Sequence, residues 1–94
     1  MYRNLYAVQC ERGVMIQPAC FYRYREAREY IRNVHPSALS YPEAAWDYIS
    51  IIRIPIQTTF IDHLCFPLHG KEYTEFMEKH KHRIDLSFKR RYIL

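Results

Sequence analysis

The sequence predicts an α+β domain in which a mostly antiparallel sheet carries two helices on one face, in the order ββαββαβ. Three observations lead there. Apolar residues recur at helical spacing in two stretches, near 20–34 and 73–84, and five other stretches are β-branched or alternate apolar with polar residues. The 94 residues, 49% of them hydrophobic, suffice for one buried core but not for two, so residues 1–94 read as one domain.

The first strand is expected near 3–10, where Leu5 to Cys10 is almost wholly apolar, and a second near 14–17, with a hairpin turn at Gly13. After Pro18 the apolar residues Cys20, Tyr24, Ala27, Ile31 and Val34 share one stripe, while Arg25, Glu26, Arg28, Glu29 and Arg32 fall elsewhere on the wheel. That predicts an amphipathic helix ending at about Asn33, because Pro36 disfavours helical geometry at His35.

Ser40-Tyr41-Pro42-Glu43 fits a capping box, with helical turns reaching Trp46. Tyr48 to Ile54 is apolar on both alternations, which predicts a central strand stopped by Pro55, and Thr58 to Phe66 alternates as a further strand. A second helix is expected over about 71–83, with Tyr73, Phe76, Met77, His80 and Ile84 inward and Lys71, Glu75 and Lys79 spaced for ion pairs. A last strand, 86–94, packs Leu86, Phe88 and Tyr92. Tyr24, Ala27, Ile31, Tyr48, Ile52, Ile54, Phe76 and Met77 are expected in one core. A shift of 45 residues aligns Ile16 with Ile61, Cys20-Phe21 with Cys65-Phe66 and His35 with His80, which raises a pseudo-duplicated ββα unit.

Composition excludes several functions. Only Gly13 and Gly70 are present, so no glycine-rich phosphate loop can form. Cys10, Cys20 and Cys65 are odd in number and widely spaced, which points away from a disulfide framework and toward a reducing compartment. Met1-Tyr2-Arg3-Asn4 opens no apolar leader, and no apolar run is long enough to span a bilayer. A soluble, unprocessed, cytoplasmic chain is expected.

His63, Cys65, His69, His80 and His82 crowd into twenty residues, yet no Cys-x-x-Cys or His-x3-His pair appears, and His80 and His82 diverge by about 200° on a helix. Only His63 and Cys65, two apart on the expected strand, share a side. A Cys65 nucleophile paired with His63 or His80 lacks an orienter, because Asp62 faces the other way from His63. His35-Pro36-Ser37 resembles the His-x-Ser/Thr element of 2H phosphoesterases, but that chemistry needs two copies, and His80-Lys81-His82, at the repeat position, has no hydroxyl residue. No catalytic residue, metal or cofactor is assigned.

Ten of the fourteen basic residues are Arg, the formal net charge is +4, and Arg interleaves with aromatic residues. Tyr22, Arg23, Arg25, Arg28, Arg32, Arg90, Arg91 and Tyr92 are the candidate binding residues, with Arg25, Arg28 and Arg32 on one helix stripe and Tyr22 at its rim. Such residues serve protein interfaces and single-stranded nucleic acid alike. Acids interrupt the basic stripe, so the expectation is a non-catalytic binder that docks onto a protein, an adaptor or inhibitor such as a phage- or mobile-element-encoded antagonist of a host complex. The alternative is a single-stranded nucleic-acid-binding protein using the Arg/Tyr surface. The apolar end of strand 86–94 adds an expected homodimer through that edge.

Overall fold

The computed structural model describes residues 2–10, 17–38 and 49–91. It contains β1 (Tyr2–Cys10), β2 (Ala19–Phe21), α1 (Tyr24–Ala38), β3 (Ile49–Gln57), β4 (Leu68–His69), α2 (Gly70–His80) and β5 (Asp85–Arg91), with short 3-10 turns at Thr58–Phe60 and Lys81–Arg83. This is an α+β fold in the expected order ββαββαβ. One five-stranded sheet runs β4-β2-β1-β3-β5, and every neighbouring pair is antiparallel.

The β1–β3 ladder is the longest, extending from Tyr2 opposite Gln57 to Cys10 opposite Ile49. Side chains alternate between the two faces of such a ladder. Leu5, Ala7, Cys20, Ile52, Ile54, Ile56 and Leu68 pack with Ile61 and with Tyr73 and Phe76 of α2. Val8, Ala19, Phe21, Ile49 and Ile51 pack with Ala27 and Ile31 of α1. The helices therefore lie on opposite faces of the sheet, not on one, and the expected single core divides into two layers sharing the sheet.

The connectivity explains this. Both β2 and β3 run antiparallel to β1, so they are parallel to each other, and α1 links them; β4 and β5 run the opposite way and are linked through α2. Both links move across the sheet in the same direction. Crossovers of one hand started from strands of opposite direction must fall on opposite faces, and one hand is strongly preferred. The same topology removes the pseudo-duplication, because a two-fold exchanging β1 with β3 and β2 with β4 cannot preserve the order β4-β2-β1-β3.

Several boundaries move for local reasons. Helix α1 begins at Tyr24 because Ala19, Cys20 and Phe21 are all buried, as only a strand covered on both faces allows. It continues past Asn33 to Ala38, since proline's bias on the preceding residue is a preference and costs one backbone hydrogen bond. Pro55 sits inside β3, where it faces Asn4 of β1; β5 begins opposite Arg53, so the other side of β3 carries no ladder there, a place that tolerates a residue without N–H. Residues 58–66 form no strand. Ile61 N–H bonds the Thr58 carbonyl at 3.0 Å and Leu64 N–H that of Ile61 at 3.0 Å, a coiled path that buries Ile61 alone.

Residue 17 is not in a strand, and the Gly13 turn, positions 14–16 of the expected second strand, the Ser40–Glu43 capping box, Tyr48 and the end of strand 86–94 lie outside the described residues. Gly70 adopts φ +61, a left-handed conformation that glycine reaches without a Cβ penalty, as the chain turns from β4 into α2. Among the described residues, no helix is long and apolar enough to cross a membrane.

Ile52 is 1% exposed at the centre of the α2-side layer. Ile52→Ala is expected to lower the free energy of unfolding by about 2–5 kcal/mol, the range for truncating a buried aliphatic side chain, read from urea denaturation with an unchanged slope.

Candidate functional site

On the α1 side of the sheet, an aromatic seam joins three elements. Tyr6 of β1, Tyr24 at the start of α1 and Phe88 of β5 meet pairwise, with ring centroids 5.8 Å apart for Tyr6–Tyr24, 5.5 Å for Tyr6–Phe88 and 5.7 Å for Tyr24–Phe88. All three rings are half-buried. Edge and tilted packing of this kind is worth about 0.5–1.5 kcal/mol per pair beyond area burial.

Guanidinium groups cover the seam. Arg53 lies over Phe88 at 4.7 Å, Arg90 over Phe88 at 5.5 Å and Arg28 over Tyr24 at 5.9 Å, all within cation–π range. Arg53 is held by Asp85: its Nε donates to Oδ2 at 3.0 Å and its Nη2 bonds the same oxygen. The Ser87 hydroxyl and backbone N–H also donate to Asp85. These Ser87 bonds, then the Arg53 guanidinium, hold the Asp85 carboxyl below the usual aspartate range.

Along α1, Tyr24, Arg25, Arg28, Glu29 and Arg32 line a shallow groove of about 290 Å³. Arg25 Nε donates to Glu29 at 3.2 Å, an exposed i, i+4 pair that neutralises it but adds little stability. Among the described residues Arg28, Arg32 and Arg90 have no carboxylate partner, so three uncompensated positive charges remain on this face.

The fold thus brings together Arg25, Arg28 and Arg32 as the helical spacing requires, and links Arg90 to them through its position over Phe88, whose ring contacts Tyr24. Tyr22 is elsewhere. Its ring packs on the α2-side layer, 4.2 Å from Phe66, with Arg3 above it at 4.2 Å, so it does not rim the arginine stripe. Arg23 is exposed just before α1, Arg91 closes β5 opposite Ser50, and Tyr92 lies outside the described residues. Sequence reasoning missed Arg53 and Phe88 as parts of the site. Arg53 carried a usable signal, being the only charge between Ile49 and Gln57.

The enzyme-like clusters take other forms. His63 and Cys65 are exposed in the irregular 61–67 segment, not on a common strand face, and no three His, Cys, Asp or Glu side chains among the described residues are grouped to hold a metal ion. Cys20 is fully buried, and that burial pushes its thiol up to about 12, which leaves it without thiolate at neutral pH. His80, the last residue of α2, is buried 4.7 Å from the Phe76 ring and 6.1 Å from Phe60, at a cavity of about 190 Å³ that His63, Glu72, Glu75 and Lys79 also border. Its pKa is lowered, first by burial and then by the charges of Lys79, Arg83 and His82.

Comparison with protein-family models, curated proteins and solved structures finds no match to this chain.

Two measurements follow from these environments. A maleimide reagent at pH 8 should label Cys65 rapidly and leave Cys20 unlabelled until denaturant is added, as read by peptide mass mapping; rapid labelling of native Cys20 would contradict its burial. Because the folded-state pKa of His80 lies below its ordinary value of 6.5, the unfolded chain binds the extra proton first. Stability should therefore be full above about pH 6.5 and fall as the pH drops toward the folded value. His80→Phe should flatten that fall in denaturation curves between pH 7 and 5, above the acidic range in which the lowered Asp85 carboxyl takes up its proton.

Proposed function

We propose that this protein is a non-catalytic binder that docks onto another protein through the outer face of α1 and the adjoining strand β5. The observation that carries the reading is the gathering of Arg28 and Arg90 around the half-buried Tyr24–Phe88 seam, with Arg32 in the adjoining α1 groove, none of the three with a carboxylate partner among the described residues. Interface hot spots draw on the same chemistry, since Arg and aromatic side chains combine large rigid area with polar ends. A small domain working this way suits an inhibitor or adaptor acting in the cytoplasm, of the kind that phages and mobile elements direct against host complexes.

Single-stranded nucleic acid is the competing reading. It needs open ring faces for base stacking. Here Phe88 carries two guanidiniums and Tyr24 a third, so a base would have to displace an arginine to stack on those faces. Self-association is the other competitor, because among the described residues β5 is an edge strand, paired only with β3. Lys89 and Arg90 on that edge favour a partner of opposite sign over a second copy.

The test is a variant with Arg28→Glu, Arg32→Glu and Arg90→Glu; Arg25 is left alone because Glu29 already pairs with it. The thermal midpoint should stay nearly unchanged, each exposed position contributing within about 0.5 kcal/mol. A protein retained by the wild-type chain after nuclease treatment should be lost by the variant. Release of that protein by nuclease, or its retention by the variant, would overturn the reading, and a sedimentation coefficient that rises with concentration would move it to a homodimer through β5.

A further inference from the structure

The chemistry of the α1–β5 face narrows what it binds. Five arginines belong to α1's groove and the seam: Arg25 is paired with Glu29 and Arg53 with Asp85, whereas among the described residues Arg28, Arg32 and Arg90 have no carboxylate partner. Arg28 and Arg32 are one helical turn apart, roughly 6 Å along the axis. Arg90 approaches from β5, over the ring that contacts Tyr24. The positive charges are therefore discrete, arrayed on two elements and separated by half-buried ring edges.

A guanidinium offers a planar fork that matches a carboxylate with two parallel hydrogen bonds. A phosphodiester strand presents closely and regularly spaced charge and rewards a continuous basic track. Glu29 and Asp85 break any such track at the positions where it would cross α1 and β5. Carboxylates held on separate side chains can instead meet Arg28, Arg32 and Arg90 individually while their apolar neighbours rest on Tyr24 and Phe88. We infer that the α1–β5 face recognises an acidic protein segment, whose Asp or Glu carboxylates pair with Arg28, Arg32 and Arg90. The inference rests on the docking reading above and adds the chemistry of the partner.

The probes are a fluorescein-labelled twenty-residue poly-L-glutamate and a labelled twenty-nucleotide oligo(dT), titrated by anisotropy at 50 mM salt. Three chains are compared: the wild type, Arg28→Gln with Arg90→Gln, and Lys71→Gln with Lys79→Gln on the exposed side of α2. Poly-glutamate should bind the wild type more tightly than oligo(dT). The arginine pair should weaken it at least tenfold, as expected for losing charge-assisted hydrogen bonds, and the lysine pair should change it less than twofold. Equal circular dichroism and thermal midpoints confirm that all three are folded. Tighter binding of oligo(dT), equal weakening by the two double variants, or no binding of poly-glutamate would overturn the acidic-segment inference. The docking reading stands or falls separately, on whether the Arg28, Arg32 and Arg90 reversal loses its captured protein.

Discussion

The antiparallel ladder between β1 and β3 is the constraint on which the rest of the structure depends. It is nine residue pairs long, and because α1 covers one face and α2 the other, both alternations along it must be apolar. Ile52, Ile54 and Ile56 serve one layer, Ile49 and Ile51 the other. Each such side chain contributes on the order of 1.5–3 kcal/mol when fully buried. Neither helix has a core of its own, so the two layers are stable only through the strands they share.

The opposite placement of the helices also separates the chemistry. The arginine–aromatic surface belongs to the α1 side, where Tyr6, Tyr24 and Phe88 leave their edges half exposed. The buried His80 and its cavity belong to the α2 side, under Phe60 and Phe76. A sheet lies between them. Protonation at His80 therefore bears on the packing of α2, while the charge presented by Arg28, Arg32 and Arg90 is set by what neutralises it locally.

Within the α1 side, Asp85 organises the edge. It fixes Arg53 against Phe88, and the fixed guanidinium in turn holds the Phe88 ring toward Tyr24. This couples β5 to α1 although their contact runs through rings and not through a backbone ladder. Glu29 and Asp85 satisfy one arginine each, and among the described residues Arg28, Arg32 and Arg90 have no carboxylate partner.

Much of this was legible in residue order. The periodicities of Tyr24, Ala27 and Ile31 and of Tyr73, Phe76 and His80 are local properties of a 3.6-residue repeat, and they marked both helices and their buried stripes. The apolar run from Leu5 to Cys10 marked a strand and the doubly apolar run ending at Ile54 marked a central one, and the i, i+3, i+7 spacing of Arg25, Arg28 and Arg32 put them on one stripe. Tertiary structure alone decided the rest. Ala19–Phe21 is a strand and not helix because β1 and β4 flank it, and Leu68–His69 is a strand only because β2 supplies its ladder. Which face each helix covers follows from crossover direction, a property of strand order that no local pattern encodes. The site's last members, Arg53, Phe88 and Arg90, join Arg28 through the Phe88–Tyr24 ring contact because β3 and β5 pair beside α1, and contacts between residues so far apart in the chain are set by topology, on which side-chain periodicity is silent.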